Sequence, residues 1–337
     1  MDVVKSKPGF FIVGAPKCGT TVLHHYLALH PEVFMARKEM HFFGKDLRFA
    51  HQFYRRDEAA YLREFAAGSG RACLGESSVW YLFSQSAAGE IKQFNPEARI
   101  IIMLREPVEM LHSLYHQFLF DGNEQLPSFE QALDAEPGRL AGRLLPRQNY
   151  FPQGLLYRQT MRHAEQVTRY FEVFGRDRVQ VVIYDDLVAD AGGVYQRTLD
   201  FLGVKSFRVE SGIQVVNGNK FVKSRALRNV LNEPLLRTAA LAVRPLLPRG
   251  LFSALQRAEA RLQRLNTRSA GRQPLAPEFR RQLKAEFALE VAKLGSLLGR
   301  DLSNWSGERP WQRDLDAQEA APEPTSAIVP AGAAAGS

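Results

Sequence analysis

The sequence predicts an α/β protein: a P-loop-type parallel β-sheet flanked by helices on both faces, with a helical, arginine-rich C-terminal part. Three observations carry the prediction. One apolar run ends in a glycine loop that opens a helix, a second leads into a proline-started helix, and strand-like and helix-like segments alternate to about residue 187. Such sheets bind ligands beyond the carboxyl ends of their strands, so the loops after residues 13, 75 and 104 are expected to converge.

The elements follow in order. "GFFIVGA" (9–15) is aromatic and β-branched enough for a buried strand, and "TTVLHHYLALH" (20–30) is a helical pattern that starts on hydroxyl residues. "RACLGESS" (71–78) and "RIIIMLRE" (99–106) read as further strands, and Pro107 suits the first turn of the helix "PVEMLHSLYHQFLF". "GLLYRQTMRHAEQVTRYFEVFG" (154–175) has apolar residues at helical spacing up to Gly175, and "RVQVVIYDDL" (178–187) returns to strand. After about residue 205 the pattern turns mostly helical and closes with the stretch 277–305, an amphipathic helix ending near Gly299.

With 337 residues and 45% apolar content the chain can bury a sizeable core. We expect one globular domain over 1–311, with a basic, mostly helical subregion at 205–272 and a disordered low-complexity tail at 312–337. Cys18 and Cys73 are too few for a disulfide framework and lack zinc spacing. No signal-peptide pattern opens the sequence, and arginines and prolines interrupt the apolar stretch 235–252, so a cytoplasmic protein without a spanning helix is expected. The net charge of +8 is local: eleven Lys and Arg face two acidic residues between Lys223 and Arg272. That region suits peripheral contact with an anionic membrane or an acidic acceptor, and no nucleic-acid partner is expected.

"GAPKCGTT" (14–21) carries the chemistry. Backbone N–H groups of a glycine turn entering a helix converge on an anion, and Thr20 and Thr21 add hydroxyl donors. The ATP pattern G-x-x-x-x-G-K-[ST] is nearly met by Gly14, Gly19 and Thr21, but Thr20 stands where its lysine belongs. Lys17, inside the loop, instead approaches a phosphate from the side on which a bond to it breaks. This fits a phosphate that leaves.

The loop form P-K-x-G-T-T, here "PKCGTT" (16–21), resembles the 5′-phosphosulfate loop of sulfotransferases that use 3′-phosphoadenosine 5′-phosphosulfate (PAPS). The likeness extends over roughly residues 8–305 and is greatest to the bacterial and heparan-type members. It implies that Lys17, Cys18, Gly19, Thr20 and Thr21 hold the donor and that Arg105 and Ser113, in "LREPVEMLHSLY", form the 3′-phosphate site. An arginine fork and a hydroxyl two helical turns onward suit a terminal phosphate, although Arg105 paired with a neighbouring carboxylate is the plainer reading.

"ARKEMHFFGKD" (36–46) is similar to the family's K-E-x-H-F-F element. It implies Glu39 as catalytic base, Lys38 on the transferring group and His41 as accessory or alternative base; a surface Lys38–Glu39 ion pair is the rival reading. "LGESSVWYLFS" (74–84) resembles the family's G-E-x-S-x-x-Y-L stretch, which implies that Glu76, Ser77 and Tyr81 face nucleotide or acceptor. "NKFVKSRALRNVL" (219–231) takes the place of the loop that closes over the nucleotide, which makes Lys220, Lys223 and Arg225 contacts. His116, with His112 one turn before it, is expected to line the acceptor cleft or simply to pack, and Asp121 or Glu124 meets an acceptor only if the cleft extends to them.

The implied reaction is sulfuryl transfer to a hydroxyl or amine of a small-molecule, lipid or glycan acceptor. It needs no metal, because a sulfuryl group carries less negative charge than a phosphoryl group. Two other readings stay open at this point: a P-loop small-molecule or nucleotide kinase, and a non-catalytic membrane- or nucleic-acid-binding protein acting through its basic region.

Overall fold

Five parallel strands run in the order β2-β3-β1-β4-β5: β1 Phe10–Gly14, β2 Val33–Met35, β3 Cys73–Ser77, β4 Arg99–Leu104 and β5 Val179–Ile183. The structure is a computed structural model and describes residues 7–49, 56–146, 149–209, 212, 220–222, 267–269 and 274–307. Phe10, Phe11, Ile12 and Val13 of β1 and Ile100 to Leu104 of β4 are wholly enclosed, as strands covered on both faces must be. From β1 the chain first builds to one side, through β2 and β3, and then to the other, through β4 and β5. Right-handed crossovers in opposite directions put the connecting helices on opposite faces.

Helix α1 (Thr20–Ala28) follows β1 and lies beside the helix Ala191–Leu202, where the Tyr195 hydroxyl donates to the Tyr26 carbonyl at 3.2 Å. A short helix α2 spans Glu58–Arg63, α3 spans Ala87–Phe94, and α3 packs beside the helix His163–Phe174. Helix α4 (Pro107–Asp121) starts on a proline, and its N-cap Glu106 accepts the Glu109 N–H at 2.7 Å. The helix Pro277–Leu298 packs on α4 and ends at a left-handed Gly299.

Register aligns the strand ends, with Ile12 opposite both Ser77 and Ile101 and Leu104 opposite Ile183. The loops after β1, β3 and β4 therefore emerge together at the switch point, as expected. Two readings differ in detail. The helix expected over 154–175 is broken into a short helical turn, Tyr157–Thr160, whose Tyr157 and Arg158 bond to Glu124, Glu136 and Glu286, and a helix from His163 to Phe174. The mostly helical subregion contains an antiparallel pair, Lys220–Val222 with Thr267–Ser269. Most of the basic region, and all of 312–337, lie outside the described residues. Among the described residues no helix is long and apolar enough to cross a membrane.

Glu124 does not reach toward an acceptor. It forms a bidentate pair with Arg139 at 2.9 and 2.7 Å, both side chains enclosed, and takes further bonds from the Tyr157 hydroxyl and the Gln125 and Leu126 N–H groups. Arg139→Met should lower unfolding stability by about 3–5 kcal/mol, because it strands a buried carboxylate. Urea denaturation measures this, and a loss below about 1 kcal/mol would show that the pair is dispensable.

Candidate active site

The loop between β1 and α1 is shaped by close approaches. A Cβ on Gly14 would lie 2.5 Å from the Val79 carbonyl oxygen, and one on Gly19 (φ 85°) would lie 2.8 Å from a Leu187 methyl. Gly19 is the N-cap of α1, so the first-turn N–H groups of the helix face the loop's hollow. Cys18 lies wholly beneath the loop, and burial pushes its thiol up to about 12 against the charges of Arg105 and Lys17. It can offer a backbone N–H to a ligand, but no thiolate. Lys17 takes a left-handed φ of 62°, and its Nζ donates to Gln117 Oε1 of α4 at 3.1 Å. Gln117 is turned that way by Asp121, which accepts its amide N–H groups at 3.0 and 3.1 Å.

Lys38 supplies what the loop lacks. Its Nζ donates to Thr20 Oγ1 at 3.3 Å and to Thr21 Oγ1 at 3.2 Å. An ammonium from the segment after β2 thus reaches the hydroxyls at the place where the ATP pattern carries its own lysine. The same Nζ is 3.5 Å from Glu39 Oε1, so the Lys38–Glu39 ion pair exists, but inside the phosphate-loop mouth and not on an outer surface.

Glu39 and His41 both have left-handed backbones, φ 59° and 45°; with Lys17, they are three of the four non-glycine residues so placed among those described. Side chains with a Cβ avoid this region, and such exceptions concentrate at functional sites. Glu39 Oε2 accepts from the Val79 N–H at 3.1 Å and lies 3.1 Å from His41 Nε2. Burial works to raise the Glu39 carboxyl, but His41, Lys38 and the Val79 N–H outweigh it and hold it below the ordinary carboxylate value. Glu39 keeps 35% of its side-chain surface exposed and His41 only 3%. Glu39 can therefore meet an acceptor, while His41, stacked on Phe49 at 4.7 Å, supports it from behind.

Glu76, Ser77 and Tyr81, expected to face substrate, have no exposed surface. The end of β3 turns them inward beneath the Lys38–His41 turn. The Ser77 carbonyl accepts the Glu39 N–H at 2.8 Å, and the Tyr81 hydroxyl accepts the Phe43 N–H at 3.2 Å.

Across the sheet, Arg105 leaves β4 with its guanidinium 4.6 Å above the Tyr184 ring and 3.4 Å from Glu109 Oε2. Glu109 also pairs with Arg280 at 2.7 Å, so one carboxylate is shared between two guanidiniums and the cluster stays cationic. Ser113 lies two turns along α4. The expected residues thus flank the start of α4, and the carboxylate pairing of Arg105 is present. The His112 and His116 rings meet at 3.0 Å between Nε2 atoms. Among the described residues no group of three or more His, Cys, Asp or Glu is placed to hold a metal ion. The strand Lys220–Val222 packs beside α4, which brings its backbone to the helix of Ser113, while Lys223 and Arg225 lie outside the described residues. Gln117, Asp121 and Tyr184 join the site without having been singled out for these roles.

Residues 7–233 match the family model described as sulfotransferase domain. The chain is similar to carbohydrate sulfotransferase 15 of Rattus norvegicus, 34% identical over 154 residues, covering 33% of this chain and 27% of the relative. It is also similar to heparan sulfate glucosamine 3-O-sulfotransferase 3B1 of Mus musculus, 28% identical over 201 residues, 60% of this chain and 47% of the relative. The chain thus spans less than half the length of these curated relatives. A solved sulfotransferase from Alicyclobacillus acidocaldarius superposes with a TM-score of 0.65 at 31% identity, covering 90% of this chain and 100% of that one. With a family model matching most of its length and a solved sulfotransferase of 31% identity superposing on 90% of it, the chain belongs to the sulfotransferase family.

Proposed function

We propose that the protein moves a sulfuryl group from PAPS to an acceptor hydroxyl or amine by in-line transfer. The observation that carries this reading is Lys38 on the two threonine hydroxyls beside Glu39, with Lys17 in the loop between. Two ammoniums and a carboxylate base converge at the mouth of one anion-binding loop. The donor set fits the nucleotide: the loop's N–H groups, hydroxyls and ammoniums are hydrogen-bond donors to a 5′-phosphosulfate, and Arg105 with Ser113 provides a second pole for a 3′-phosphate.

In the proposed reaction the acceptor oxygen forms a bond to sulfur while the bond between sulfur and the 5′-phosphate oxygen breaks. Glu39 takes the acceptor proton, and the electron pair of the broken bond stays on the phosphate oxygen, where Lys17 opposes the new charge. Lys38 and the threonine hydroxyls hold the group in transit, so alignment and fixed positive charge supply most of the rate. The names of the carbohydrate- and heparan-sulfate-directed relatives support a glycan hydroxyl as acceptor. The cationic stretch 223–272 suits an anionic acceptor or membrane surface.

Adenosine 3′,5′-bisphosphate, the expected product, tests the donor site. At about a hundred times its dissociation constant it should add roughly 2.7 kcal/mol of stability, visible as a raised melting temperature. ATP with magnesium should give little shift. Stabilisation by ATP–magnesium alone would replace this reading with a kinase.

A further inference from the structure

Glu76 sits at the end of β3 with no exposed surface, so it touches neither substrate. Its carboxylate collects three hydroxyl protons: Tyr61, from α2, donates to Oε2 at 2.5 Å, and Ser78 and Tyr81 each donate to Oε1 at 2.7 Å. A hydroxyl carries a single proton, so the oxygens of Ser78 and Tyr81 have only lone pairs left to offer. Each receives a backbone N–H from the segment that carries the proposed base: His41 donates to Ser78 at 3.0 Å and Phe43 to Tyr81 at 3.2 Å.

That segment needs holding. Glu39 and His41 both occupy the left-handed region, which persists only where neighbours over-determine it. Glu39 itself is anchored by the next carbonyl of the same strand, Ser77. Burial pushes the Glu76 carboxyl above the ordinary glutamate value, against the pull of Tyr61, Tyr81 and Ser78. Ser78 and Tyr81 donate to Oε1 in either protonation state, because a proton on the carboxyl would sit on Oε2 and point to Tyr61.

We propose that Glu76 is a positioning residue: by fixing the proton direction of Ser78 and Tyr81 it turns both hydroxyls into acceptors that pin the Glu39–His41 turn. Its structural effect stands alone, and its catalytic consequence rests on Glu39 being the base. Glu76→Met keeps roughly the shape but removes the acceptor that Ser78 and Tyr81 share, whereas a Gln could keep its oxygen on both and turn its NH₂ to Tyr61. Ser78→Ala deletes the acceptor for His41 without adding a polar group.

The test measures amide hydrogen exchange in the peptide spanning residues 38–44, together with bisphosphate affinity, kcat and donor KM, on the full chain. Exchange there should speed up about tenfold or more in both variants. kcat should fall about ten- to a hundred-fold while bisphosphate Kd and donor KM stay within about twofold. Ser78→Thr, which restores the hydroxyl, should recover exchange protection and kcat. Unchanged exchange in Ser78→Ala overturns the proposal even if Glu76→Met fails to fold. Faster exchange with undiminished kcat would uphold the positioning role and remove Glu39 from the base role.

Discussion

Glu39→Gln should reduce kcat by about 10²–10⁴-fold, the range of a lost general base, while binding of adenosine 3′,5′-bisphosphate stays near the wild-type value. The substitution keeps the size of the side chain and its bond from the Val79 N–H but removes the charge facing Lys38 and His41, so unchanged bisphosphate binding is the control that assigns the loss to proton transfer. The pH profile sharpens the assignment. His41, Lys38 and the Val79 N–H, against burial, hold the Glu39 carboxyl below the ordinary glutamate value of about 4.3. A base works only when ionised, so kcat/KM should persist as pH falls and decline only below that ordinary value. kcat/KM reports the free enzyme, which is the state whose contacts are described. An acid limb in the ordinary imidazole range, with Glu39→Gln near normal, would transfer the role to His41.

Legibility followed the range of the interactions. β1 and β4 could be read because strands covered on both faces must be continuously apolar, and Phe10–Val13 and Ile100–Leu104 are. β2 was not singled out, because three residues at a sheet edge, Val33–Met35, are too few to show a period. Lys17, Lys38 and Glu39 stood out because their chemistry lies in contiguous motifs. Gln117 left a usable signal: it is one helical turn beyond Ser113 on α4, the face already assigned to the site. Tyr184 left none, since only the pairing of β4 with β5 brings it under Arg105. Glu76 was legible as part of the site but not in its role, because the direction a side chain takes at the end of a strand depends on what packs there. Tyr61 reaches it from α2, 15 residues earlier in the chain.

Lys17→Ala should lower kcat by about 10²–10³-fold, the usual cost of removing a donor aimed at developing charge. Unlike Glu39→Gln, it should also weaken bisphosphate binding, by about tenfold for one charge-assisted hydrogen bond. Alanine meets the same backbone cost as lysine at a φ of 62°, so the change reports on the ammonium and not on the turn. Lys38 still reaches Thr20 and Thr21 in the variant, which leaves the transferring group held and places the loss on the leaving oxygen. Lys17→Arg sharpens the distinction: a guanidinium keeps the charge but presents it in a wider fork, so it should recover binding more fully than turnover. Single-turnover assays with PAPS, beside bisphosphate titrations, separate the two effects. Weak binding with an undiminished rate of transfer would make Lys17 a binding residue only, and the charge on the departing phosphate would then fall to the N–H groups at the start of α1.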